Sequence, residues 1–238
     1  LAATPARAFT FFDGRLEVAN GRFSIEPFLR ADGQLVTWAD AQKTQQLAEG
    51  QLPIPTVTWR VGDFLLHVTA FASGGPARST LYARYRLENR VDVPRAASLF
   101  LALRPFQVNP PWQSQLQAGG VAPIAQIARR GRAISVDHQH TVVALTPADA
   151  FGAMAFEEGD LVERMQAGLV PDAEIVSDRL EWASGSLRYD LELPARGKRE
   201  VWIAVPFESA AETPELANED AASAAAHLED TLRFWRQR

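Results

Sequence analysis

Between Phe106 and Gln113 the chain sets two aromatic rings, two glutamines and an asparagine in one short run, Phe106-Gln107-Val108-Asn109-Pro110-Pro111-Trp112-Gln113. A sugar ring has apolar faces rimmed by hydroxyls. Flat aromatic rings beside amide donors and acceptors are the groups that bind it. Arg104 stands just before this run and is the one charge at the end of the apolar stretch Leu99 to Leu103. An unpaired buried charge is costly, so Arg104 must hold a carboxylate or backbone carbonyls, or reach solvent. Arg104, Phe106, Gln107, Asn109, Trp112 and Gln113 are therefore the candidate ligand-binding or domain-interface residues. The same composition also suits a structural loop that fills the rim of a domain, or a surface covered by a neighbouring one. Pro105, Pro110 and Pro111 stiffen the segment.

Other residue types offer less. Of the four histidines, His138 and His140 lie two apart and would share a face of a strand. No third ligand follows at a suitable spacing, so no metal and no cofactor is expected. His67 falls in an apolar strand pattern and His227 on a helical one, where solvation is expected. Glu157, Glu158, Asp160 and Glu163 cluster around Gly159, as a loop surface does. Glycoside hydrolysis needs two carboxyl groups about 5–10 Å apart, a distance that spacing along the chain does not measure. There is no glycine-rich phosphate loop and no Gly-x-Ser-x-Gly elbow. No catalytic residue is named.

The elements that must position these groups are mostly strands. Leu81, Ala83, Tyr85 and Leu87 alternate with Tyr82, Arg84, Arg86 and Glu88, the period of a half-buried strand. Leu99 to Leu103 is apolar on both parities, so that strand is expected to be covered on both faces. Pro105 should end its pairing. Asn20-Gly21 and Asp32-Gly33 punctuate hairpins. Leu187, Tyr189, Leu191 and Leu193, then Val201, Ile203, Val205 and Phe207, read as two strands of a further hairpin around Pro194 to Lys198. Ala39 to Gly50, polar and rich in glutamine, reads as a loop or a single helical turn. Leu161, Met165 and Leu169 allow a short helix. From Asn218, the expected N-cap, Ala221, Ala225, Leu228, Leu232 and Trp235 recur at helical spacing. Ala225, Leu228, Leu232 and Trp235 are expected to lay the helix on the sandwich. With no strand–helix alternation and no internal repeat, the fold class is all-β: a large antiparallel two-sheet β-sandwich closed by one helix.

Composition bounds the partners. The 238 residues are 47% hydrophobic and 22% charged, as in an ordinary globular protein. The net charge of −5 argues against nucleic acid. No apolar run approaches the roughly 20 residues of a membrane span. There is no cysteine, which excludes a disulfide framework. The chain reads as soluble, with its compartment open and the cytoplasm slightly favoured over the periplasm. Leu1 is no initiator and the last residues stop inside a helical pattern. The expectation is a domain cut from a longer protein.

The Leu101-Ala102-Leu103-Arg104-Pro105 strand end and the closing helix with Phe234-Trp235, on a many-stranded sandwich, resemble one kind of domain. It is the N-terminal super-sandwich, galactose-mutarotase-like in shape, of bacterial glucoamylase-like glycoside hydrolases and cellobiose-type phosphorylases. The resemblance implies a sandwich over residues 1–217 and a linker helix over 218–238. It also implies a partner absent from this chain, an α/α toroid that carries the catalytic acid. The chain would then be a non-catalytic, carbohydrate-associated module that supports the toroid and contacts an oligo- or polysaccharide. The alternatives are an aldose epimerase of the mutarotase type, whose histidine motifs are not found here, and a plain protein-interaction domain.

Overall fold

A computed structural model describes residues 8–10, 13–19, 21–75, 78–108, 120–207, 216 and 218–238. The strands in chain order are β1 (Ala8–Thr10), β2 (Leu16–Val18), β3 (Phe23–Ala31), β4 (Gln34–Val36), β5 (Gln42–Ala48), β6 (Leu52–Val61), β7 (Phe64–Gly75) and β8 (Arg78–Asn89). There follow β9 (Arg95–Arg104), β10 (Gln126–Arg130), β11 (Ala133–Val136), β12 (His140–Ala144), β13 (Ala150–Met154), helix α1 (Leu161–Gln166), β14 (Ile175–Ser177), β15 (Ser184–Leu193), β16 (Lys198–Pro206) and helix α2 (Ala221–Arg236). They form two antiparallel sheets. A seven-stranded sheet runs β1-β2-β3-β9-β15-β13, with β4 on the end of β3, and a nine-stranded sheet runs β14-β10-β11-β12-β16-β8-β7-β6-β5. The protein is a β-sandwich with a C-terminal helix. Among the described residues no helix is long and apolar enough to cross a membrane.

Each sheet is covered twice, and this explains its sequence. Leu99, Leu101 and Leu103 of β9 point into the main core with Val57, Trp59, Tyr85 and Ile203. Phe100 and Ala102 point the other way, under Leu161 and Met165 of α1. The apolar run on both parities is thus a strand between a sheet and a helix. The nine-stranded sheet repeats the arrangement. Val201, Ile203 and Val205 of β16 face the main core, while Trp202 and Ala204 meet Ala224 and Leu228 of α2. Burying a large apolar side chain is worth about 1.5–3 kcal/mol, so both helices are bonded into the fold chiefly through such contacts.

Two local expectations are corrected. The Ser184–Leu193 and Lys198–Pro206 strands are consecutive and alternate cleanly, yet they are not a hairpin. β15 pairs with β9 and β13, and β16 pairs with β8 and β12, in the other sheet. The chain crosses between sheets at Pro194 to Gly197, just as it does between β8 and β9. Asn89 fastens the two crossings together, its Nδ2 donating to the carbonyls of Val93 (2.7 Å) and Pro194 (2.9 Å). Arg196 adds a two-pronged ion pair to Asp92 at 2.7 and 2.8 Å. The second correction is the polar stretch Ala39 to Gly50. It contains β5, a strand of seven residues paired with β6 and exposed along nearly its whole length. A strand that buries neither face has no alternation to read.

Helix α2 starts two residues later than Asn218 implies. Asp220 is the N-cap, and its carboxylate accepts from Ser223 N at 2.9 Å. Four charge-tolerant contacts steady its start: Tyr82 Oη donates to Glu219 (2.8 Å), Arg132 donates to the Glu219 carbonyl (2.7 Å), His227 lies 3.3 Å from Glu219, and the His227 ring packs on Tyr82 with centroids 5.0 Å apart. His227 is packed rather than simply solvated. Ala224 and Leu228 are the buried anchors, whereas Trp235 is 37% exposed and packs on Phe234. Leu228→Ala should therefore cost about 2–3 kcal/mol. Trp235→Ala should shift stability by less than about 1 kcal/mol. Urea midpoints of the two variants check this, and equal losses would refute the assignment of Leu228 as the anchor.

Candidate functional site

β9 ends at Arg104, as the following proline requires. Beyond it the chain is held by isolated bonds. Ala122 N donates to the Pro105 carbonyl at 2.8 Å, Phe106 bridges Val121, and Val108 N donates to the buried carboxylate of Glu17 at 2.8 Å. These bonds set Gln107 into the wall of a cleft of about 970 Å³ at this end of the sandwich. Gly21, in a left-handed turn at φ +89°, lies against the Gln107 amide, where an added Cβ would sit 3.1 Å from Nε2. The amide packs against this turn, and its Oε1 is buried without a hydrogen-bond partner among the described residues.

The second wall is the β11–β12 turn. Asp137 and His138 both adopt positive φ (+52° and +56°), a region in which Asp and His are tolerated better than most residues. The turn is held from behind: Asp137 Oδ1 accepts from Ala125 N (2.8 Å) and Gln126 N (2.9 Å). That leaves His138 and Gln139 exposed on the cleft rim. His140, next in the chain, is half-buried. Burial, and then the Arg22 guanidinium, hold its imidazole below the usual range, so it stays neutral near pH 7.

The third wall runs from Ser177 to Glu181. Asp178, 5% exposed, organises it, accepting from Leu180 N (2.9 Å), Phe156 N (3.0 Å) and Trp182 N (3.1 Å). Burial opposes its ionisation, but the three N–H donors outweigh it and hold the carboxyl below the ordinary carboxylate range. Glu158 and Asp160 are caps as well, of a single 3₁₀ turn and of α1, while Glu157 pairs with Arg179 at 2.5 Å. The acidic cluster around Gly159 is thus local architecture. Gln126 Nε2 donates to Ser177 Oγ at 3.1 Å and links the walls.

Of the residues singled out from the sequence, Gln107 lines the cleft and Phe106 sits behind it. Arg104 turns away. Its guanidinium lies 3.3 Å from Glu26, which is 1% exposed, and 4.5 Å from the centre of the Phe106 ring. It holds a carboxylate, one of the partners its position required. Asn109, Trp112 and Gln113 lie outside the described residues. Sequence reasoning missed Gly21, Arg22, the Asp137–Gln139 turn and the Ser177–Glu181 wall. Only Asp137-His138, a polar pair between two strand patterns, carried a local signal. Among the described residues no three His, Asp or Glu side chains converge as a metal site would need. The cleft therefore offers amide, imidazole and guanidinium groups for hydrogen bonding. Its two inner carboxylates, Asp137 and Asp178, are engaged by backbone N–H groups.

No family model matches the chain, and no curated protein matches it. Among solved structures it is similar to a bacterial glucoamylase complexed with acarbose, with a TM-score of 0.61 and 12% identity over 94% of this chain and 34% of that one. It is also matched to a protein assigned as a kojibiose phosphorylase from the human microbiome (TM-score 0.41, 10% identity, 90% of this chain, 26% of that one). A third match is a polysaccharide lyase (TM-score 0.38, 14% identity, 76% and 25%). The glucoamylase likeness establishes the fold, a sandwich shared with part of that enzyme. The chain spans about a third of the glucoamylase's length.

Proposed function

We propose that this chain is the non-catalytic β-sandwich module of a larger carbohydrate-active enzyme, a glycoside hydrolase or phosphorylase. In this reading the sandwich (1–217) supports an α/α toroid, α2 with its flanks (218–238) is the linker to it, and the cleft beside Gln107 contacts sugar. One observation carries the sugar contact: Gln107 lines a cleft whose rim also presents the exposed His138 and Gln139. Amide and imidazole groups are hydrogen-bond partners of the kind sugar hydroxyls take. The fold shared with part of a glucoamylase supports the wider reading.

The test is calorimetric titration of the chain with maltotriose, cellotriose and acarbose. Weak binding of at least one is expected. Gln107→Leu should weaken it about tenfold, the worth of one hydrogen bond, without lowering the melting temperature, because the variant removes a buried orphan acceptor. Absence of binding to all three, or undiminished binding by Gln107→Leu, overturns the sugar contact. Turnover of maltose, cellobiose or aryl glycosides that survives repurification overturns the non-catalytic assignment.

A further inference from the structure

Two aromatic rings stand at the surface beside the cleft. Phe156 is 51% exposed and Trp182 is 38% exposed, and they meet edge to face with centroids 5.0 Å apart. A single exposed apolar side chain needs no explanation, but a pair fixed beside a polar cleft calls for one. The fixing is local and polar. One oxygen of the buried Asp178 carboxylate, Oδ2, accepts from Phe156 N at 3.0 Å and from Trp182 N at 3.1 Å, so one side chain sets both ring-bearing backbones. Phe156 opens a 3₁₀ turn, which Glu158 steadies by accepting from Ala155 N at 2.7 Å. On either side of Trp182 the chain is bonded to Ile124. Ile124 N donates to the Glu181 carbonyl at 2.6 Å, and Ala183 N donates to the Ile124 carbonyl at 3.0 Å. The two rings are thus held by backbone bonds while they keep much of their surface in water.

We propose that Phe156 and Trp182 form a stacking platform for one ring of an oligosaccharide whose next unit lies in the cleft. The inference rests on the sugar contact proposed for the cleft and extends it to the residues that hold a second ring. Two observations select a sugar over an apolar protein segment. The platform is continuous with the cleft, since Arg179 lines the cleft and pairs with Glu157, the residue after Phe156. That ion pair also keeps 76% and 57% of its two side chains exposed. Covering it with a protein surface would strip water from two charges. A sugar ring has an apolar face for the aromatic pair, and rim hydroxyls that replace water on the guanidinium and the carboxylate.

The experiment is calorimetric titration with two length series, maltose to maltohexaose and cellobiose to cellohexaose. In at least one series, affinity should rise about tenfold once the oligosaccharide is long enough to occupy both places. Trp182→Ala should remove that rise, Phe156→Ala should reduce it, and Trp182→Phe, which keeps a ring, should retain most of it. Tryptophan emission gives a second readout. The longest ligand of the series that binds should protect the wild type from acrylamide quenching and should protect Trp182→Ala less. Binding that Gln107→Leu weakens, but that Trp182→Ala and Phe156→Ala leave unchanged at every length, overturns the platform and leaves the cleft reading standing. Absence of binding at every length in both series overturns the two together. Should Trp182→Ala fail to fold, the wild type decides: quenching unaltered by saturating ligand overturns the platform.

Discussion

Gly152→Ala should lower the stability of this protein by about 3 kcal/mol, the upper end of what overpacking costs. A Cβ at Gly152 would stand 1.7 Å from the carbonyl oxygen of Pro171 and 2.5 Å from its carbon. These are backbone atoms, so no side chain can swing aside. Nor can Pro171 retreat cheaply. Ala173, two residues on, bridges Ala153, and Arg188 Nη1 donates to the Gly168 carbonyl at 2.9 Å on the other side. The segment that follows α1 would have to lift from β13 and expose Met154 and Met165. Gly75→Ala is the control, for nothing lies within 4 Å of its added Cβ. Urea unfolding of the two variants should separate them clearly. A Gly152→Ala midpoint equal to that of the wild type would mean that the segment does not rest on β13 in solution.

The second large effect concerns Arg104. Glu26 is buried to 1% exposure, and its carboxylate is met by Ser24 Oγ at 2.8 Å and by Arg104 Nη1 at 3.3 Å. Removing one partner of a buried pair leaves an uncompensated charge, a loss of about 3 kcal/mol or more. Arg104→Met should show such a loss. The double variant Arg104→Met, Glu26→Gln should regain most of it, because no charge is then stranded. If Arg104 instead served a ligand, the single variant would melt like the wild type and only binding would suffer. The double-variant cycle distinguishes the two roles by stability alone.

The fold was readable where each element has a buried and a wet face. The alternation of Leu81 to Leu87 found β8, and the Pro105 rule ended β9 at the right residue. The doubly apolar run of Leu99 to Leu103 gave a strand covered on both faces, one of them by α1. Legibility failed where the deciding interaction is not local. Alternation in β15 and β16 says which face is buried and nothing about which sheet each strand joins. The crossing at Pro194 to Gly197 depends on Asn89, a residue more than a hundred positions away. β5 was invisible because neither of its faces is covered. The N-cap was misplaced because Asn218 and Asp220 are both good caps, and only the bond to Ser223 N decides between them. The cleft was the least legible part. Its walls come from five separate stretches, and their polar residue types, Asp, His, Gln and Ser, are those of any surface turn.

The two ends of the sandwich are built to different rules. At the Asn89 end, the sheets are laced by the short passages Arg90 to Pro94 and Pro194 to Gly197, with Asn89, Asp92 and Arg196 binding one to the other. A residue inserted there would shift the register of strands in both sheets at once. At the opposite end, where β9 stops, the chain travels far between strands, from Arg104 to Gln126 and again from Met154 to Ile175. Apart from α1 and the Pro171–Ala173 segment, which pack on the seven-stranded sheet, connections of that length tolerate changes in length better than the two short passages do. Variation between descendants of one ancestor would therefore accumulate at the cleft end and be purged at the laced end. The same scaffold can in this way meet new ligands through changes in loop length alone.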